Sequence, residues 1–195
     1  MRIAYSGKPF KLLGDSYSAA TTFMRTVHAH RLALAAALVL CCGLASESNA
    51  AGYSDAECRQ SAATVTANNA VLIGQSTGPH VLSIINGTSG GGYVKVKTLS
   101  GSTVVGFYIQ AGSNASVNLP DGTYGISFAT GESFSSLCRK FMDHMQALEF
   151  PEADTFQTRK DSQFEYYTEL EYTLHSIVGG NVSPDQMNID EFLRD

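Results

Sequence analysis

Residues 93–110 read YVKVKTLSGSTVVGFYIQ, and this stretch decides the fold class. Side chains of a strand point alternately to its two faces, so the valines of the first run share one face. Lys95 and Lys97 share the other face, which is therefore predicted to meet solvent. Ser100-Gly101-Ser102 supplies a tight turn into a second run rich in β-branched and aromatic residues. Two such runs joined by a short turn predict an antiparallel hairpin.

The same alternation of short apolar runs and turn residues extends on both sides of this hairpin. Strands are predicted from residue 81 to residue 130, and again over 164–168 and 170–177. Their spacing of about ten residues, without intervening helices, predicts an all-β chain: an antiparallel β-sandwich of about six to eight short strands. The alternation of strands and turns ends at about residue 136. Residues 137–148 predict a short helix, which is followed by a polar connection over 150–160.

The N-terminal part of the chain has the features of an export signal. Residues 24–50 begin with basic groups and continue into Leu32–Leu44, an uncharged run that predicts a signal-peptide helix. Such a helix spans about 20 Å, whereas the hydrocarbon core of a bilayer is about 30 Å thick, so a permanent membrane helix is disfavoured. Cleavage is predicted after Ala50, and an uncleaved anchor is the alternative.

Two further interpretations concern the same N-terminal part. A lipid anchor on Cys41 or Cys42 is disfavoured because the small residue required directly before a lipid-modified cysteine is missing. A membrane contact is therefore expected only through an uncleaved signal or such an anchor. Residues 1–23 resemble neither a signal nor a domain, and we interpret them as non-structural or as a mis-assigned start upstream of Met24.

The chain that follows the predicted signal consists of a lead-in segment, residues 51–80, and a sandwich domain, residues 81–195. It carries eight basic and sixteen acidic residues, so it lacks the basic face that nucleic-acid binding needs. It keeps two of the four cysteines, Cys58 and Cys138, which predict one disulfide in an exported chain. Two buried free thiols are the alternative. The predicted location is periplasmic or extracellular.

One resemblance supports this interpretation. The strings GYVKVK (92–97), AG (111–112), PDGTY (120–124) and FATG (128–131) resemble the pattern of an uncharacterised exported bacterial β-sandwich domain family. Phe134 stands where that pattern usually has a tryptophan. The resemblance covers residues 81–195 and implies a fold and a compartment, with no established activity. More loosely, the PDGTY turn is similar to carboxypeptidase-regulatory-like sandwiches, which are binding or spacer modules.

Candidate functional residues are sparse in the sequence. No metal-ligand spacing, nucleophile motif or cofactor motif is found, so no metal or cofactor is predicted. Tyrosine offers an apolar ring with a polar tip, and five tyrosines form a candidate binding surface: Tyr93, Tyr108, Tyr166, Tyr167 and Tyr172.

These observations predict a non-catalytic binding or structural module of the cell envelope whose partner is an envelope protein or glycan. The alternative is an envelope hydrolase or metal-dependent enzyme. It would use the acidic and histidine residues of the C-terminal half, namely Glu169, Glu171, His144 and His175.

Overall fold

A computed structural model describes residues 52–174 and 183–194, which form two helices and twelve strands. In chain order these are α1 (Asp55–Ala62), β1 (Ala70–Gly74), β2 (His80–Ile85), β3 (Gly91–Thr98), β4 (Thr103–Ile109), β5 (Asn114–Leu119), β6 (Gly122–Ser135), β7 (Lys140–Glu149), β8 (Asp154–Phe156), β9 (Arg159–Lys160), β10 (Glu165–Tyr166), β11 (Glu169–Thr173), β12 (Asp185–Met187) and α2 (Ile189–Leu193). Eight of these strands have five or more residues. The predicted signal segment, Cys41, Cys42, His175 and residues 1–23 lie outside the described residues.

The predicted hairpin is the centre of the larger of two main sheets. β3 and β4 pair antiparallel, and their sheet has the order β1-β4-β3-β6-β7-β12, with β8 also paired to β6. The smaller sheet has the order β11-β2-β5, and β9 pairs with β10 in a separate two-stranded ribbon. One pair departs from the antiparallel prediction, because β11 runs parallel to β2. The mainly antiparallel sandwich class predicted from the sequence is confirmed.

The main core lies between the two sheets and follows the predicted alternation. Val94 and Val96 of β3 pack there with inward residues of β2, β5 and β11 from the opposite sheet. Every second residue of β5 is buried, and β2 shows the same pattern. In a sandwich, every second side chain of a strand points between the sheets, and removing these apolar side chains from water stabilises the fold.

The predicted helix at residues 137–148 is wrong. Its residues form β7, which pairs antiparallel with the long strand β6. Leu, Met, Gln and Ala in this stretch favour a helix locally, but the sheet partner overrides that weak preference. The polar connection predicted at 150–160 is wrong as well, since it contains β8, whose Asp154 and Phe156 are buried.

The larger sheet also buries its outer face, opposite the main core. Tyr93, Phe134 and Phe141 form a second apolar cluster there with Phe192 of α2, so the C-terminal tail docks on the sandwich. The prediction that the lysine face of β3 meets solvent is wrong for Lys95, which is only 1% exposed. Lys95 Nζ donates a hydrogen bond of 2.7 Å to the carbonyl oxygen of Phe192. α2 therefore covers part of a face that the strand pattern alone leaves open.

The segment before residue 81 contributes directly to the sandwich. β1 pairs with β4 at the edge of the larger sheet, so that sheet begins upstream of the predicted domain start. α1 begins at a capping box in which Ser54 and Glu57 satisfy each other's backbone N–H groups. Within the described residues, neither helix is long and apolar enough to cross a bilayer.

Candidate functional site

The disulfide predicted from the sequence is present and joins α1 to the β6–β7 turn. Cys58 and Cys138 are bonded, with their Cα atoms 5.6 Å apart. Cys58 is the buried residue of α1, whereas Cys138 is half-buried in the turn. A disulfide between residues 80 positions apart is compatible with an oxidising, exported compartment.

The five tyrosines do not form one surface. Tyr93 and Tyr172 are buried, the first in the outer-face cluster and the second in the main core, where its hydroxyl donates to Asp154. Tyr108 stacks on Phe134, with ring centroids 4.5 Å apart. Tyr166 and Tyr167 lie half-exposed at and beside the β9–β10 ribbon. The structure thus distributes these residues over three places.

The acidic and histidine residues of the enzyme alternative lie on different sheets. Glu169 and Glu171 are on β11 of the smaller sheet, whereas His144 is exposed on β7 of the larger sheet, 3.7 Å from Glu132. Among the described residues no group of three or more His, Cys, Asp or Glu side chains is arranged to hold a metal ion.

A polar cluster near the disulfide connects α1 with β6 and β7. Asp143 accepts hydrogen bonds from Ser133 and Arg59, and these, the serine first, hold the pKa of its carboxyl below the usual value. Ser133 and His144 both have positive φ, 55° and 52°, beside an irregularity in the β6–β7 register. A shallow depression of about 230 Å³ lies beside this cluster. The contact between Arg59 and Asp143 joins α1 to β7.

His80 and Asp121 form a hydrogen-bonded pair at the start of β2 that no local sequence pattern indicates. His80 is fully buried, with its Nδ1 accepting from the Thr168 backbone N–H at 2.9 Å. Nε2 therefore carries the ring proton and donates to Asp121 Oδ1 at 2.6 Å. Both ring nitrogens are occupied, so neither is placed to abstract a proton from a substrate.

Asp121 connects this pair to a third segment. Its Oδ1 also accepts from the Thr158 backbone N–H at 2.7 Å and from the Thr158 hydroxyl at 2.9 Å. The hydrogen bond from His80, followed by those from Thr158, lowers the pKa of Asp121. The pair thus fastens the start of β2, the turn before β6 and the segment between β8 and β11, which is a structural role.

We expect Asp121→Asn to destabilise the protein at neutral pH and to have little effect in acid. Because the folded-state pKa of Asp121 is lowered, its contribution is present above the unfolded value of about 3.8 and is lost as the pH falls through the folded value. Urea unfolding of both proteins at pH 7, 5 and 3 measures this difference. Asp185→Asn, at an exposed position, is the control. A stability difference that persists unchanged at pH 3 contradicts the assignment.

A groove lies on the outer face of the larger sheet and is lined by both charged and apolar side chains. It has a volume of about 230 Å³ and lies beside the β3–β4 turn and β12. We call it the outer-face groove. Its lining includes Lys97, Leu99, Gly125, Ser127, Glu149 and Met187.

Ser127 is the unusual member of this groove. It is 4% exposed, and its hydroxyl has no hydrogen-bond partner in the part of the chain that the structure describes. A buried hydroxyl without a partner costs about 1–3 kcal/mol, so such groups are rare in folded proteins. Thr66 and Thr103 have buried hydroxyls of the same kind, but neither lines the groove. Ser127 lines the groove, but its hydroxyl oxygen is itself buried and does not open into it.

Ser127 lies directly opposite the buried Lys95 of β3, and two opposite charges line the groove beside it. Glu149 of β7 is the direct neighbour of Ser127 across the strand pair, and Lys97 of β3 lies opposite Gly125. Neither charge belongs to an ion pair among the described residues. Lys97 is half-buried and Glu149 is exposed, so both reach solvent at the mouth of the groove.

The chain was also compared with known proteins. It matches no family model, and no curated protein or solved structure matches it.

Proposed function

We propose that this protein is an exported, non-catalytic β-sandwich module of the cell envelope that binds a ligand through the outer-face groove. One observation carries the proposal: a groove of about 230 Å³ on the outer face presents Lys97, Glu149 and the apolar side chains of Leu99 and Met187. Binding sites of this kind combine an apolar lining with a few convergent polar groups. The natural partner is a protein or glycan of the envelope that carries matching groups.

Export of the module has support from two sources. The signal-like segment at residues 24–50 and the resemblance to exported bacterial β-sandwich domains both favour it. The Cys58–Cys138 bond agrees with an oxidising compartment. Fractionation of cells that produce the full chain is expected to recover a form beginning at Ala51 outside the cytoplasm. Recovery of the uncut chain in the cytoplasm contradicts export.

Binding without turnover is the result expected of the purified protein. Ligand-observed NMR against a panel of amino acids, short peptides and monosaccharides tests both properties in one sample, since bound ligands and reaction products give separate signals. We expect at least one class to bind at about millimolar Kd, as suits a small open groove, with no product formed. Gly125→Val is the matched control, because a side chain there fills the groove.

Two outcomes decide against the proposal. Turnover of a panel member that is lost on a single polar-to-Ala substitution supports the enzyme alternative. Binding that Gly125→Val leaves unchanged shows that the ligand site is elsewhere on the molecule. A Cβ at Gly125 meets no atom within 4 Å, so this variant is expected to fold normally.

A further inference from the structure

We infer that β1 pairs edge to edge with β1 of a second copy of this chain, which gives a two-fold dimer. β1 is the first strand of the larger sheet, and β4 is its only neighbour among the described strands. Backbone N–H and C=O groups on the outer side of an edge strand are a template for pairing with another strand. The inference does not depend on the outer-face groove, so each can fail without the other.

β1 lacks the residue types that usually keep an edge strand from pairing. Its sequence, AVLIG (70–74), contains no charged residue and no proline. Val71 of β1 is 39% exposed, and Val65, in the segment before β1, is 82% exposed. A bulge between Val71 and Ile73 shortens the stretch that can pair, so we expect a weak contact.

The edge of the smaller sheet on the same side is already covered. The Asn118 backbone N–H of β5 donates to the Ser76 hydroxyl at 2.7 Å, and the Asn114 carbonyl oxygen accepts from the Asn68 side chain at 2.8 Å. Asn68 and Ser76 flank β1 in the sequence, so these contacts also place β1 and β5 on the same side of the sandwich. On this side β1 is therefore the strand that remains to pair.

The distribution of charge favours a second copy of the chain as the partner. Between Arg59 and Asp121 the only charged residues are Lys95 and Lys97, and neither belongs to β1 or β5. Residues 121–195, in contrast, carry fourteen acidic and five basic residues. Two copies repel each other through their acidic parts, whereas contact through the uncharged side brings no like charges together.

The acidic residues also lie at the edges farthest from β1. β12 ends the larger sheet, where Asp185 pairs with Glu149 of β7, about 24 Å from β1 at the usual strand spacing. β11, with Glu169 and Glu171, is the other edge strand of the smaller sheet. In the proposed dimer these edges lie at the two far ends, beyond the screening length of about 10 Å at 0.1 M salt.

Two-fold symmetry defines the geometry of the dimer. A strand that pairs with its own copy about an axis perpendicular to the sheet runs antiparallel to that copy. The two larger sheets then form one continuous sheet, and both outer faces, each with its α2, lie on the same side. Each copy has one β1, so the pairing closes at two copies.

Sedimentation equilibrium of the purified protein at concentrations up to about 1 mM tests the inference. We expect a monomer–dimer equilibrium with a Kd of about 0.1 mM, as suits a contact smaller than a standard interface. Val71→Lys is expected to weaken the dimer about tenfold, because the two-fold axis brings two like charges close together across the strand pair. Leu99→Lys is the matched control, since it adds the same charge at a 74% exposed position on the β3–β4 turn.

Amide exchange of the unsubstituted protein provides a second test that depends on no variant. Raising the protein concentration from below to above Kd is expected to slow exchange in β1 and to leave β5 unchanged. Raising the salt concentration is expected to change Kd by less than about threefold, because the acidic edges lie far from the contact. If Val71→Lys does not fold, the exchange experiment decides.

The possible outcomes either establish or overturn the β1 contact. Weaker association in Val71→Lys alone, with slower exchange confined to β1, establishes it. A protein that stays monomeric at the highest concentration overturns it. A dimer that Val71→Lys leaves intact, or that Leu99→Lys weakens equally, places the interface elsewhere. Assemblies larger than a dimer contradict a pairing that closes at two copies.

Discussion

Replacing Cys58 and Cys138 together by alanine is expected to lower the free energy of unfolding by as much as about 4.5 kcal/mol. The bond closes a loop between residues separated by 80 positions, and the unfolded chain gains conformational entropy when that loop is opened. Alanine is preferred to serine because Cys58 is 2% exposed, and a hydroxyl there adds a desolvation cost. Urea unfolding at pH 7 measures the loss.

The wild-type protein in reductant provides the control for this prediction. Its unfolding midpoint is expected to fall toward that of the double variant, while the variant itself does not respond to reductant. Mass spectrometry of the non-reduced protein is expected to show a linked peptide containing both cysteines. Free thiols at both positions, or a stability unaffected by complete reduction, contradict the prediction.

Loss of the disulfide is also expected to affect one part of the fold more than the rest. α1 contacts only β6 and β7 extensively, and most of its residues are exposed. Without the bond, the contacts that still join α1 to the sheet include the ion pairs of Arg59 with Asp143 and of Asp55 with Lys140, and the hydrogen bond from the Leu137 backbone N–H to the Ser61 hydroxyl. Exposed ion pairs contribute at most about 1 kcal/mol, so we expect faster amide exchange in α1 than in β3.

The sandwich was predictable because short stretches of sequence indicate both its strands and its turns. Alternation with period two in Val94–Val96 and in β5 marks the buried face of each strand, whatever strand pairs with it. Turn residues such as Pro120-Asp121-Gly122 mark the ends. The fold class follows from these two signals without any knowledge of which strands are neighbours.

The errors and omissions all involve partners distant in the sequence. β7 has the composition of a helix and becomes a strand only because β6 pairs with it. His80 and Asp121 meet across 41 positions, and an isolated histidine and a turn aspartate gave no signal of this contact. The outer-face groove combines residues of β3, β6, β7 and β12, which are far apart in the sequence, so no local pattern indicates it.

The burial of Lys95 also depends on a partner that is distant in the sequence. Period two correctly places it on the same face of β3 as Tyr93 and Lys97. Its burial depends on α2, whose residues lie almost a hundred positions later in the chain. The C-terminal tail therefore buries a charged side chain of β3 that would otherwise face solvent.

Phe192→Ala is expected to be the most damaging single substitution in the C-terminal tail, at about 3–5 kcal/mol. The Phe192 ring is fully buried, packs edge-on against Tyr93 with centroids 5.9 Å apart, and lies 5.0 Å from Lys95 Nζ. Its removal leaves a cavity beside a buried ammonium group, which also loses its favourable contact with the ring.

The loss of stability in Phe192→Ala cannot exceed the free energy that the docked C-terminal tail contributes to the folded state. If the tail detaches in the variant, Lys95 becomes hydrated and the sandwich remains folded, so urea unfolding reports less than the full cost of the cavity. Amide exchange in β12 and α2 distinguishes the two cases, because detachment raises it there while leaving β4 protected.

Ile189→Ala is the matched control for Phe192→Ala. Ile189 belongs to the same short helix but is 39% exposed, so its truncation is expected to cost less than about 1 kcal/mol. Equal losses from the two variants, with equal exchange in β12, contradict the assignment of Phe192 as the anchor of the tail. A loss confined to Phe192→Ala, with faster exchange in β12 and α2, identifies the buried Phe192 ring as the anchor that holds this segment on the sheet.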